Sequence, residues 1–196
     1  MRALSIETAT MLGGLALMDD KEGLIAEVRL NVRTTHSERL MAELDHMLKQ
    51  AGMVIEDLDL LAVSAGPGSF TGLRIGLSTV KGLSFSTGIP VVAVPTLEAF
   101  AWAMPGVPFV CPMFDARKKE VYAGVFGWDG DGFVRVMPEA SIDPPELSRF
   151  IPGKEHILFA GQGAELYREE IIEAFGKRAH FAPPHLMVPS PSAVAF

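Results

Sequence analysis

The sequence has a single cysteine, no long apolar run and no charged leader. Cys111 stands alone among 196 residues, which excludes an internal disulfide and a cysteine-based metal site. No apolar stretch approaches the roughly 20 residues that a membrane-spanning helix needs, and a strand pattern begins at once instead of a secretory signal. These absences predict a cytoplasmic protein that makes no membrane contact.

Positive charge is also scarce. Seventeen Lys and Arg residues against 24 Asp and Glu residues give a formal net charge of −7. Binding to a polyphosphate backbone requires clustered cations, so we expect any contact with RNA to be indirect, through a partner. Apolar residues make up 48% of the chain, enough for one domain or two small lobes to bury a core.

The most distinctive segment is a glycine-rich turn. It joins an apolar strand at 60–63 to a helix through the sequence SAGPGSFTG, which is almost without side chains and exposes backbone N–H groups. A helix N-terminus attracts anions, so one interpretation is an anion contact, and the other is a tight strand-to-helix connection. No Lys-Ser/Thr pair follows the glycines, which excludes a Walker loop. The anion contact would involve Gly66, Gly68, Ser69, Thr71 and Gly72.

Four further segments occur in an order typical of one protein family. They are MRALSIETAT at 1–10, THSERL at 35–40, the stretch from KGL to GIPVV at 81–92, and DARKKEVY at 115–122. In this order and spacing, together with the glycine turn, the chain resembles the TsaB (YeaZ) family of bacterial tRNA threonylcarbamoyladenosine biosynthesis proteins. The resemblance covers residues 1 to about 122, and beyond them it becomes a general similarity of pattern.

The strand and helix pattern of the first half is β-β-β-α-β-α-β-α. This is the order of the actin-like ATPase (ASKHA) lobe. The resemblance supports this fold assignment more strongly than the strand pattern alone does. We therefore predict an α/β fold of two lobes, each a mixed sheet flanked by helices. The predicted lobes are 1–104 and a smaller one at 105–196, and the resemblance implies that the C-terminal end of the family is missing.

Actin-like ATPases hold phosphates with two turns, one in each lobe. The first would contain Glu7, Thr8 and Thr10, and the second Asp115 and Arg117. The second turn has bulky cations where small residues are expected. Glu7 is either a catalytic or Mg²⁺-linked carboxylate or a strand-end residue with local hydrogen bonds, and we favour the latter. We expect no cofactor bound by this chain alone, and ATP or ADP only at an interface with a partner.

The resemblance also bears on metal binding. The catalytic sister family, the TsaD (Kae1) transferases, reads His-Leu-Glu-Ala-His after the Gly-Ile-Pro strand, and two histidines four apart on a helix can hold one cation. Here Thr96 and Phe100 stand at those places, and the five histidines show no pair at metal-ligand spacing. The resemblance therefore implies no metal, no catalytic residue and a non-catalytic scaffold or activator of the transferase. The alternatives are an actin-like phosphotransferase and a glycoprotease-type metallopeptidase.

The implied partners are a TsaD-type transferase, a TsaE-type ATPase in the same complex and, without the transferase, a second copy of this chain. We predict that the two long helices of the first lobe form the partner surface. The alternative is that the glycines of the second helix only let it lie close to its own sheet. The predicted interface residues are His36, Leu40, Leu44, Met47, Leu48, Ile75, Gly76, Thr79 and Leu83.

Overall fold

The computed structural model describes residues 1–31, 36–151 and 153–195, with the side chains at all of these except 30, 31 and 36–38. The predicted interface side chain of His36 thus lies outside the described residues. Contacts divide the chain into two compact units, Met1–Ala99 with Ser190–Phe196, and Phe100–Pro189.

The first unit is built on a five-stranded mixed sheet. Strand β1 lies at its centre, antiparallel to β2 and parallel to β4, and the strand order is β3-β2-β1-β4-β5. Two long helices follow β3 and β4. The strands are β1 (Arg2–Glu7), β2 (Leu12–Asp19), β3 (Gly23–Asn31), β4 (Leu60–Ser64) and β5 (Val91–Val94), and the helices are α1 (His36–Gln50) and α2 (Phe70–Thr87).

The apolar stripe of α1 packs in the core of this unit. Its members join Leu4, Ile6 and Val63 of the sheet in one buried cluster, because a surface helix buries its one apolar stripe against the sheet that it covers. The predicted partner surface is corrected accordingly, since these side chains contact their own chain. The residues concerned are Leu40, Leu44, Met47 and Leu48.

Helix α2 also turns its small residues towards the sheet. Gly72 and Gly76 are buried, and a Cβ atom at Gly72 would collide with the carbonyl oxygen of Thr8. At Gly76 it would collide with the Thr8 hydroxyl and lie 3.3 Å from Cγ2 of Val63. The glycines therefore serve close packing within the chain, and the predicted place of Gly76 in a partner surface is corrected.

The second unit repeats the strand connectivity of the first. Its central strand β6 is antiparallel to β7 and parallel to β9, and the order is β10-β9-β6-β7-β8. The sequence boundary between the units falls within helix α3 (Thr96–Trp102). The strands are β6 (Phe109–Arg117), β7 (Glu120–Trp128), β8 (Phe133–Ile142), β9 (Ile157–Ala160) and β10 (Ala179–Phe181), and the helices are α4 (Gln162–Leu166) and α5 (Arg168–Phe175).

The last residues return to the first sheet as a short helix, α6 (Pro191–Val194). The Ser5 hydroxyl donates to the carbonyl oxygen of Pro191 at 2.6 Å, and the Ser190 hydroxyl donates to Glu27 at 2.6 Å. The predicted lobe at 105–196 includes this tail, whereas the hydrogen bonds of the tail connect it to the first unit. That the two units are separate domains stays a prediction.

The glycine face of α2 generates a stability prediction with a control on the same helix. We expect Gly76→Ala to lower the free energy of unfolding by about 2 kcal/mol, because the added methyl group overpacks the contact with Thr8 and Val63. Gly82 is exposed and a Cβ atom there meets nothing within 4 Å, so Gly82→Ala should stabilise by up to about 1 kcal/mol through helix propensity. Urea denaturation measures both. Equal effects of the two substitutions would contradict the close packing.

Candidate functional site

The carboxyl group of Glu7 is enclosed where β1 ends. Its side chain is fully buried; Oε1 accepts the N–H of Ala9 at 2.5 Å, and Oε2 accepts the hydroxyl of Ser64. Burial raises the pKa of Glu7 to about 7, against the opposing effect of these two hydrogen bonds. The geometry favours the interpretation of Glu7 as a locally bonded residue over that of a ligand for Mg²⁺ or nucleotide.

The two threonines that follow are buried as well. The Thr8 hydroxyl lies against Gly76 and has no hydrogen-bond partner among the described residues. The Thr10 hydroxyl donates to the carbonyl oxygen of Leu12 at 2.9 Å. The glycine face of α2 therefore lies directly against Thr8 of the predicted first phosphate turn, and both threonine side chains are buried.

Several N–H groups of the glycine turn donate within the chain. Gly66, at a φ of 113°, donates to the Thr96 hydroxyl oxygen at 3.0 Å and accepts the N–H of Thr96 at 2.8 Å. Ser69 caps α2 by accepting the N–H of Gly72 at 3.3 Å, and its own N–H donates to Ala9 at 2.7 Å. A Cβ atom at Gly68 would lie 2.6 Å from that of Ala9. These contacts favour a tight connection over an anion contact, and Thr71 remains exposed beside it.

The two positions that matter for metal binding both have structural roles. Thr96 is fully buried and its hydroxyl is occupied by the glycine turn. Phe100 is fully buried and stacks on Phe114 with the ring centroids 5.9 Å apart. A phenyl ring offers no ligand atom. The residues present therefore do not fit a cation held by this helix.

The predicted second phosphate turn is a two-residue hairpin loop between β6 and β7. Arg117 pairs with Glu120 across the hairpin, so Lys118 and Lys119 form the loop. Arg117, Lys118 and Lys119 have φ values of 66°, 53° and 69°, although side chains in this left-handed region cost roughly 1–2 kcal/mol each. Asp115 supports the loop by accepting the N–H of Arg117 at 2.9 Å. The turn is thus tight despite its bulky cations, at the expense of backbone strain.

Sequence reasoning missed one pair of histidines. Nδ1 of His156 and Nε2 of His180 lie 2.8 Å apart, because parallel pairing of β9 with β10 brings together segments that are 24 residues apart in the chain. The sequence contains no pattern that predicts β10. Within the described ranges no group of three or more metal-ligand residues occurs, so this pair has no third protein ligand there.

The outward face of α2 carries a stripe that sequence reasoning also missed. Phe70 and Phe85 are 74% and 95% exposed, and they lie on the same side of the helix as Arg74 and Ser78, at successive spacings of four, four and seven residues. The Arg74 guanidinium lies 5.2 Å from the centroid of the Phe70 ring. The signal was present in the sequence as large apolar residues opposite the glycines. We call Phe70, Arg74, Ser78 and Phe85 the outer stripe.

The remaining predicted interface residues border grooves on α2. Ile75 and Thr79 line a groove of about 380 Å³ beside the outer stripe. Leu83 lines a second groove of about 340 Å³, together with Leu44 and Leu48 of α1. The structure therefore brings Ile75, Thr79 and Leu83 to the surface of the helix pair, whereas Gly76, Leu40 and Met47 line neither groove.

Three comparisons relate the chain to known proteins. A family profile described as TsaD, tRNA N6-adenosine threonylcarbamoyltransferase, matches residues 24–195. The tRNA threonylcarbamoyladenosine biosynthesis protein TsaB of Bacillus subtilis (strain 168) is 31% identical over a 200-residue alignment that spans all of this chain and 86% of that protein. The solved structure of YeaZ from Pseudomonas aeruginosa has a TM-score of 0.84 at 26% identity and covers 99% of this chain and 88% of its own.

More distant structures bear on the fold alone. The ROK hexokinase of Thermus thermophilus has a TM-score of 0.56 at 12% identity, with 100% of this chain and 98% of that chain covered. A sugar kinase is a member of the class that the strand order predicted, so the expected actin-like fold is confirmed. In the part of the chain that the structure describes, no helix is both long and apolar enough to cross a membrane.

The buried carboxyl group predicts a pH-dependent stability. Because the pKa of Glu7 rises from 4.5 to about 7 on folding, the folded state holds the proton more tightly. The stabilisation is complete below pH 4.5 and is lost as the pH rises to 7. Glu7→Gln should remove this decline and be more stable than the wild type at pH 8, by at most about 3 kcal/mol.

Urea denaturation between pH 4 and 8 measures the effect, with the exposed Glu56→Gln as the control. A difference between Glu7→Gln and the wild type that does not change with pH would show that folding leaves the pKa of Glu7 unshifted.

Proposed function

This chain belongs to the TsaB family, and on that basis we propose that it is a non-catalytic subunit that binds and supports a TsaD-type transferase making N6-threonylcarbamoyladenosine in tRNA. One observation carries the proposal, which is the outer stripe of α2. Aromatic side chains and arginine are enriched at the centres of protein interfaces, whereas a monomer gains nothing from a phenylalanine that is 95% exposed.

The packing of α2 supports an interface on this side. Gly72 and Gly76 hold the helix tightly against β1 and β4, so its outer face is a rigid platform with little conformational entropy to lose on binding. The grooves beside Ile75 and Leu83 can receive side chains from a partner helix. The same surface would serve a second copy of this chain when the transferase is absent.

The chemistry at the candidate site supports a role without catalysis. Thr96 and Phe100 are committed to packing, and Glu7 is enclosed with a pKa near 7, so no charged group at the first turn is positioned for a substrate. We propose that the chain binds no nucleotide by itself and that ATP or ADP enters at an interface with a partner. A TsaE-type ATPase joins the same complex, in the cytoplasm.

A phosphotransferase would bind Mg²⁺-ATP, which separates it from a scaffold. We expect isothermal titration of the isolated chain with Mg²⁺-ATP to give no heat of binding and ATP hydrolysis to equal the buffer rate, because the first turn is covered by α2. Saturable binding accompanied by turnover would favour the actin-like phosphotransferase instead.

The partner surface is tested by truncating the aromatic residues of the outer stripe. Phe70→Ala with Phe85→Ala should weaken binding of the purified TsaD-type transferase from the same organism at least about tenfold, because aromatic residues dominate interface energies. Surface plasmon resonance measures the affinity. Both side chains are exposed, so circular dichroism should show an unchanged fold.

The second unit offers a matched control. Leu166 and Ile172 are 60% and 46% exposed, so Leu166→Ala with Ile172→Ala removes exposed aliphatic surface far from α2 in sequence. This control should bind like the wild type. Wild-type affinity of the α2 variant, or an equal loss in the control, would place the partner elsewhere.

A further inference from the structure

The hairpin tip formed by Arg117, Lys118 and Lys119 concentrates three cations on a chain whose formal net charge is −7. All three residues are exposed, and within the described ranges none of their side chains forms an ion pair. The acids on either side have other partners. Asp115 accepts the N–H of Arg117 and the Tyr167 hydroxyl, and Glu120 accepts the Ser141 hydroxyl.

The backbone of the tip makes these cations harder to explain as ordinary surface residues. A two-residue hairpin loop with positive φ at both positions is typical of Asn-Gly, yet Lys118 and Lys119 occupy it at 53° and 69°. Backbone strain of this kind persists where the side chains have a function that Asn-Gly, which fits the turn without strain, could not perform. The function available to unpaired lysines at the end of a rigid hairpin is to hold an anion.

We propose that this tip binds the phosphate backbone of RNA. The inference rests on the proposed function, since tRNA is the polyanion on which the transferase acts. Lysine and arginine neutralise phosphates without reading sequence, which suits a subunit that positions RNA and performs no chemistry on it. The net charge opposes binding by the surface as a whole, so the expectation of purely indirect RNA contact is revised for this loop only.

The test replaces the strained cations by the residues that the turn prefers. Lys118→Asn with Lys119→Gly should raise the melting temperature by about 3–6 °C, as the strain is relieved. The same variant should weaken binding of fluorescently labelled tRNA to the full chain at least about tenfold at 50 mM salt, and it should reduce the slope of log affinity against log salt by about 2. Fluorescence anisotropy measures the affinity.

The control removes two other exposed cations. Lys154 and Lys177 are exposed outside the hairpin, and Lys154→Asn with Lys177→Asn changes the net charge equally. It should retain tRNA binding within about twofold. Three results would each overturn the proposal: no tRNA binding by the wild type, equal weakening in the control, or a hairpin variant that is no more stable than the wild type.

Capture of the TsaD-type transferase by the hairpin variant distinguishes this proposal from the one on which it rests. Undiminished capture together with lost tRNA binding supports both. Undiminished capture with unchanged tRNA binding overturns the RNA contact alone and leaves the scaffold role intact.

Discussion

The contact between the glycine face of α2 and the segment that follows β1 is the constraint on which the first unit depends. Gly72 and Gly76 have no side chains at the points where Thr8 touches the helix, and Ser69 ties the start of the helix to Ala9. Thr96 holds the glycine turn by two hydrogen bonds: its hydroxyl oxygen accepts the Gly66 N–H, and its own N–H donates to the Gly66 carbonyl oxygen. Together these contacts fix the end of β1, the glycine turn, α2 and the beginning of α3.

Burial also limits the chemistry of the site. Glu7 is fully buried, and a carboxylate without water or a cationic partner is costly to ionise. The resulting pKa near 7 suits a packed carboxyl group that shares hydrogen bonds with Ser64 and Ala9. An actin-like enzyme needs an open phosphate turn here. In this chain the glycine face of α2 lies directly against Thr8 of that turn.

Much of the architecture was predictable because it is local. The apolar stripe of α1, the strand-turn-helix at 60–87 and the substitutions at Thr96 and Phe100 are readable from short segments and their resemblance to a family. What the sequence did not predict depends on contacts between distant segments. The inward orientation of Gly76 depends on Thr8, the return of Pro191 depends on Ser5, and the approach of His156 to His180 requires β10.

Position 96 shows how a single side chain can order the glycine turn. By resemblance, the sister transferases have a histidine there, whose ring would point to a cation. Threonine is shorter and β-branched, so its χ1 angle is restricted, and its hydroxyl reaches the Gly66 N–H at 3.0 Å. That hydrogen bond satisfies a donor in a turn where an unpaired N–H is costly. A histidine placed here would lack the hydroxyl that accepts the Gly66 N–H, so the glycine turn would lose this hydrogen bond. It would create no metal site in exchange, because Phe100 offers no second ligand.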